Sequence, residues 1–336
     1  MQTSSRWMSL LSERANPRSN TVPVKKITRD TRGVYIIAAT PFKDDGSLDL
    51  ESADRMVDFY LSHGVNGMTI LGMMGEANKL TEDESRLFAS HVFKRVAGTI
   101  PVVVGVSGAG IDNLRSLAQF SMDEGAAGIM VAPTPGPAVE DRIFNYFGQV
   151  CEAVGADVPI CFQDFPQATG VPVSSNTILT LTRRHPQIVM LKHEDCPGLA
   201  KIEAVRNGTG TTDTPRMSIL CGNGGLYLPL ELQRGADGAM TGFAYPEMLV
   251  QVVARHAAGD VAGAEDMFDA YLPILRYEQQ LNFGLAARKE ILRRRGAIAS
   301  AFVRKPGPRL SDGDHADIGH LMLRTAASVE KLAHAA

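Results

Sequence analysis

From Val34 onward the chain alternates between short, wholly apolar runs and longer stretches whose apolar residues recur three and four positions apart. Eight of the short runs are rich in small and β-branched residues: Val34–Ala39, Gly67–Leu71, Val102–Val106, Gly128–Ala132, Pro159–Phe162, Ile188–Leu191, Met217–Leu220 and Gly238–Thr241. Because they are continuous rather than alternating, they predict strands buried on both faces, as in a parallel sheet. The longer stretches carry helix signals. Thr81 and Glu84 form a capping box ahead of Leu87, Phe88, Val92 and Val96, which share one helical face. Asp49 and Asp112 are placed to cap two further helices. Gly64, Gly98, Gly125, Gly208 and Gly235 fall where a helix wants a left-handed residue to end it.

Strand and helix alternating eight times predict a closed (β/α)₈ TIM barrel over residues 32–258, with an open doubly wound sheet as the competing architecture. After Thr241 no further strand run follows. Pro246–His256 completes the eighth unit, and Ala264–Gln280, Leu285–Arg295 and a segment from His315 to His334 predict a C-terminal helical region over 259–336. Residues 1–31 are basic and serine-containing, and read as a flexible extension or a transit peptide.

A formal net charge of −3 leaves no basic footprint for nucleic acid. No apolar run reaches the length of a membrane span. Cys151, Cys161, Cys196 and Cys221 form no CxxC, and the eight histidines show no metal-ligand spacing. Free thiols in or beside apolar segments point to a reducing, cytoplasmic setting. No metal is expected.

In such a barrel, chemistry sits at the C-terminal ends of the strands. Among ten lysines, Lys192 alone directly ends a strand run. An amine at the barrel mouth is poorly solvated, which disfavours its ammonium form and frees it to attack a carbonyl. The competing reading is a strand-end lysine reaching solvent or paired with Glu194. The glycine-bounded loop Gly72-Met73-Met74-Gly75-Glu76 can aim backbone N–H groups at an anion, or can simply be a tight turn. Gly222 and Asn223, after the seventh strand, offer a permissive site for phosphate or hydroxyl groups.

Thr40-Pro41-Phe42, the loop ending in Glu76, Lys192 after the sixth strand and Gly242 after the eighth together resemble the dihydrodipicolinate synthase / N-acetylneuraminate lyase family, from about Arg32 to the C-terminus. The resemblance implies a barrel with a C-terminal helical extension, assembled as a homotetramer. It also implies that Lys192 forms a Schiff base with a 2-keto acid such as pyruvate or a 2-keto-3-deoxy sugar acid, with no cofactor. Thr40, Gly72–Glu76, Gly222, Asn223 and Gly242 would line the substrate.

This sequence departs from the family pattern at several places. Gln163 stands where family synthases and aldolases carry a tyrosine for proton transfer. Ala168 replaces the arginine that holds a second substrate's carboxylate, Met73 and Met74 replace relay threonines, and Thr134-Pro135 replace a tyrosine pair. Gln163-Asp164, Ala168-Thr169-Gly170, Glu194 and Gly238–Gly242 resemble instead the 2-keto-3-deoxyarabonate dehydratase branch, although that branch does not share the loop ending in Glu76.

The expected activity is therefore dehydration or aldol cleavage of a keto acid. Glu194 and Asp164 are the candidate proton carriers, or else a salt bridge and a cap, and Gln163 would orient. Synthase-type condensation of pyruvate with an aldehyde, a catalytically silent ligand-binding barrel, and a nucleotide-binding α/β enzyme lacking its glycine fingerprint are the other readings.

Overall fold

A computed structural model describes residues 25–134 and 139–335. Eight strands close into a barrel in chain order: β1 (Gly33–Ile37), β2 (Gly67–Ile70), β3 (Val102–Gly105), β4 (Gly128–Val131), β5 (Ile160–Asp164), β6 (Ile188–His193), β7 (Ser218–Cys221) and β8 (Gly238–Thr241). Every neighbouring pair is parallel, and β8 closes on β1 through the register Gly33–Gly238 to Ile36–Thr241. The open doubly wound sheet is thereby excluded.

Around the strands run α1 (Leu50–Ser62), α2 (Glu82–Val96), α3 (Ile111–Asp123), α4 (Glu140–Val154), the single turn α5 (Pro166–Thr169), α6 (Ser175–Arg184), α7 (Leu199–Gly208), α8 (Leu228–Gln233) and α9 (Pro246–Ala257). Beyond them lie α10 (Val261–Glu278), α11 (Gly284–Arg294) and α12 (Asp312–Ala335). The Thr81–Glu84 capping box forms as expected at the start of α2, and Asp49 caps α1 by accepting from the Ser52 N–H. Asp112 does not cap α3. Gly110 takes that position, and Asp112 sits inside the first turn, where an acidic side chain still suits the helix dipole. Gly208 is the last residue of α7 and does not take the left-handed conformation expected of it.

Strand alternation sorts the core into two. One set of side chains faces the surrounding helices. The other fills the barrel: Tyr35, Ile37, Val103, Met130, Cys161, Met190, Leu220 and Met240, with Ile27 and Ala127 among them. Ile27 belongs to the stretch expected to be a flexible extension. Residues 1–24 of that stretch lie outside the described residues, but Ile27 is buried, and its N–H donates to the Ala127 carbonyl. Apolar burial thus fixes the end of the stretch against the barrel.

The C-terminal helices are tied to the barrel by ion pairs. Lys289 of α11 meets Glu76 at 2.6 Å, and Arg295 meets Glu247 at 2.7 Å. Arg304 pairs with Glu84 at the head of α2. These ties place α11 beside the loop that follows β2.

Candidate active site

The apolar runs that announce β5 and β6 stop short of the strands themselves. Hydrogen bonding continues through Gln163 and Asp164 in β5, and through Lys192 and His193 in β6, with Gln163 opposite Lys192 in the register. Lys192 is therefore held inside a strand rather than after one, which restricts its stem. Alternation then sends Gln163, Lys192 and Glu194 to the barrel interior, and Asp164 and His193 to the outer face.

The interior three meet. Lys192 Nζ lies 2.8 Å from Glu194 Oε2, and Gln163 Nε2 donates to the same oxygen at 2.7 Å. Lys192, Glu194 and Gln163 are only 4%, 6% and 2% exposed. A buried amine shares a carboxylate with an amide that cannot itself carry a proton. Glu194 leans over Gly222, where a Cβ would fall 2.1 Å from Glu194 Cγ, so that glycine makes the room. The Asn223 amide donates to the Glu194 carbonyl at 3.0 Å and fixes the strand end from behind. Below the lysine, Cys161 is fully buried, and burial pushes its thiol up to about 12, so it stays neutral.

Asp164 does not join this group. Its carboxylate takes Lys201 Nζ at 2.9 Å and lies 3.7 Å from His193 Nδ1, on the side facing α7. Glu76 is likewise turned elsewhere. It is buried, and its oxygens go to Lys289, to Lys79 and to the Arg304 N–H. The Thr40 hydroxyl donates to the Gly75 carbonyl at 2.5 Å, bracing the loop from inside the fold. These three residues shape the site without facing the amine. The loop itself is a 3₁₀ turn over Met73–Gly75 that opens at Gly72. Such a turn leaves its first N–H groups without a partner in the helix, and those of Met73 and Met74 find no acceptor among the described residues. The Met74 side chain packs on the barrel interior, and Met73 is partly exposed.

A cavity of about 590 Å³ adjoins Gln163, walled by Gly72, Met73, Ser107, Asn113 and Ala168. Ser107 and Asn113 were not foreseen from the sequence. The loop after the third strand was legible, but nothing in its pattern marks Asn113, which lies inside the first turn of α3, as a lining residue. Of Thr134-Pro135, after the fourth strand, Pro135 lies outside the described residues. No group of three or more potential metal-ligating side chains occurs among the described residues.

A strand-borne buried lysine, a carboxylate against it and a loop of unpaired N–H groups suit imine chemistry on a keto acid. The model of the dihydrodipicolinate synthetase family matches residues 30–322. This chain belongs to that family. Within it, the L-2-keto-3-deoxyarabonate dehydratase of Azospirillum brasilense is 30% identical over 309 residues, covering 90% of this chain and 97% of the relative. The crystal structure of dihydrodipicolinate synthase from Rhodopseudomonas palustris superposes with a TM-score of 0.87 at 45% identity, covering 89% of this chain and 99% of that one. YagE, a prophage protein of the same family from E. coli K12 in complex with pyruvate, superposes with a TM-score of 0.80 at 26% identity, covering 88% and 98%. No helix among the described residues is long and apolar enough to cross a membrane.

Proposed function

We propose that this protein is a lyase that dehydrates a 2-keto-3-deoxy sugar acid through a Schiff base on Lys192. The observation that carries the reading is the buried Lys192–Glu194 contact, with Gln163 bonded to the same carboxylate and no cation at position 168.

Lys192 Nζ attacks the C2 carbonyl and releases water, leaving an iminium. That cation draws electrons from C3, and Glu194, already beside the nitrogen, takes the C3 proton. The enamine returns its electron pair, the C3–C4 double bond forms, and the C4 hydroxyl leaves as water by taking the proton that Glu194 drew from C3, which restores the carboxylate. Hydrolysis of the imine then frees an unsaturated keto acid and restores the lysine. The unpaired N–H groups of Met73 and Met74 hold the substrate carboxylate. Gln163 keeps Glu194 in place, and Ser107 and Asn113 face the hydroxyl-bearing end through the adjoining cavity.

Condensation of pyruvate with an aldehyde acid is the second reading, favoured by the 45% identity to a structure named as a synthase. Against it stands Ala168, which offers no charge to a second carboxylate. A carboxylate buried without its partner costs about 2–5 kcal/mol.

The reading extends to a homotetramer working in the cytoplasm. It is supported by family membership and by an exposed free thiol, Cys196, beside three buried ones. Light scattering tests the assembly. Incubation with a panel of 2-keto-3-deoxy acids of different length, followed by product analysis, tests the reaction. Loss of one water from at least one of them is expected. Release of pyruvate from all of them, or condensation with aspartate semialdehyde at the rate of an authentic synthase, would overturn it.

A further inference from the structure

Arg288, on α11, is only 2% exposed. Its Nε donates to Glu278 Oε1 at 2.5 Å, and Glu278 Oε2 accepts the Ala244 N–H at 3.1 Å, so the pair is stitched to the backbone just beyond β8. The guanidinium is only half used. Nη1 is buried and has no acceptor among the described residues. Folded proteins rarely leave such a donor idle, because stripping water from it without replacement is costly.

Gly242 shows where that donor points. A Cβ built on Gly242 would fall 2.0 Å from Arg288 Nη1 and 3.1 Å from the Ile37 carbonyl oxygen. Position 242 lies two residues past Met240, whose side chain is in the barrel interior, so alternation aims that Cβ direction inward at the mouth. The absent side chain is what admits the guanidinium. Ile37 also borders the other side of the mouth, because the Cβ position of Gly72 lies 3.7 Å from Ile37 Cγ2. Gly72 opens the turn that carries the unpaired N–H groups of Met73 and Met74. Arg288 Nη1, at Gly242, and the turn that opens at Gly72 therefore border the same interior residue, Ile37, at the functional end of the barrel. Glu278 already balances the charge of Arg288, so what remains is a directed N–H. An anion with two oxygens satisfies such a set better than a single hydroxyl.

We propose that Arg288 is a second anchor for the substrate carboxylate, reaching it through the gap left by Gly242 and acting with the turn at Met73 and Met74. The proposal rests on the keto-acid reading above, and it adds a binding residue supplied by the C-terminal helices.

The test compares wild type with Arg288→Met/Glu278→Gln, which removes the charge pair together and keeps an acceptor for Ala244. A melting temperature within a few degrees of wild type establishes the fold. Borohydride trapping is titrated with pyruvate and with its neutral amide. The half-saturating pyruvate concentration is expected to rise about tenfold or more in the variant, as for loss of a hydrogen bond to a charged group, while that of the amide changes little. An unchanged value for pyruvate, or an equal rise for acid and amide, would overturn the anchor and leave Nη1 to a bound water. Calorimetry with lactate, a 2-hydroxy acid that forms no imine, reads the same anchor without the lysine. Weaker lactate binding in the variant supports the proposal even if no trapping occurs, and equal binding rejects it. Failure of Lys192 to trap any keto acid in the wild type would instead overturn the Schiff-base reading.

Discussion

At the residue scale, the site depends on the period-two geometry of two adjacent strands. Gln163 and Lys192 are register partners, and Glu194 follows two residues on, so all three face the interior. Asp164 and His193, one residue away, face out. Of the two carboxylates, only Glu194 faces the amine, in the salt bridge that was its alternative reading, and Asp164 pairs with Lys201 instead. Glu194→Gln is expected to slow exchange of the C3 protons of a bound keto acid into heavy water by about tenfold or more, the scale of general base catalysis. Imine trapping should persist, because the amine remains. Exchange at the native rate, followed by proton NMR, would remove Glu194 from the mechanism. The place of Lys192 at the barrel mouth was legible in the sequence, because it ends an apolar run as no other lysine does. Arg288 was not, because a charged residue between Ala287 and Lys289 on a helix reads as solvent-facing until its neighbours in space are known.

At the scale of elements, α11 departs most from its sequence. Arg288, Lys289 and Glu290 are consecutive charged residues, and all three are buried. A charged run on a helix reads as solvent-facing, whereas here Glu278 pairs with Arg288 and Glu76 with Lys289 from other elements, and Arg293 and Arg294, one turn on in the same helix, pair with Glu290. The loop ending in Glu76 was expected to line the substrate, but the Glu76 carboxylate is instead a strut between the β2 loop and α11. Burial draws the Lys289 ammonium down to about 8 against the pull of Glu76, and its Nζ also donates to the Phe302 carbonyl. Lys289→Met leaves a buried carboxylate short of a partner and should cost about 3–5 kcal/mol. Urea unfolding measures it, and the double variant Glu76→Gln/Lys289→Met should recover much of the loss. A single variant as stable as wild type would show that Lys79 alone suffices. Strand ends were the other misplaced boundaries. β5 and β6 run on into polar residues, since a functional strand end trades its apolar pattern for chemistry while keeping its hydrogen bonds.

At the scale of the whole molecule, closure of the barrel was readable from eight apolar runs, because parallel strands buried on both faces leave no polar positions to confuse the pattern. Packing under the barrel was not readable, since Ile27 is one apolar residue in a basic stretch. A pH dependence also belongs to this scale. Glu231 of α8 is buried with Oε2 unpartnered, and desolvation raises its carboxyl to about 8 despite a helping contact from Cys221. The folded chain therefore holds a proton that the unfolded chain loses near pH 4.5. Stability from this group is full below that lower value and declines as pH rises through about 8. Glu231→Gln should gain melting temperature relative to wild type across that window, and a constant difference would refute the assignment.

The central claim is that Lys192 carries the chemistry, and borohydride reduction in the presence of pyruvate or a 2-keto-3-deoxy acid tests it most directly. Intact mass should rise by one reduced adduct, peptide mapping should place that adduct on Lys192, and Lys192→Ala should stay unmodified while keeping its fold. An adduct on another lysine, or none with any keto acid, would contradict the account.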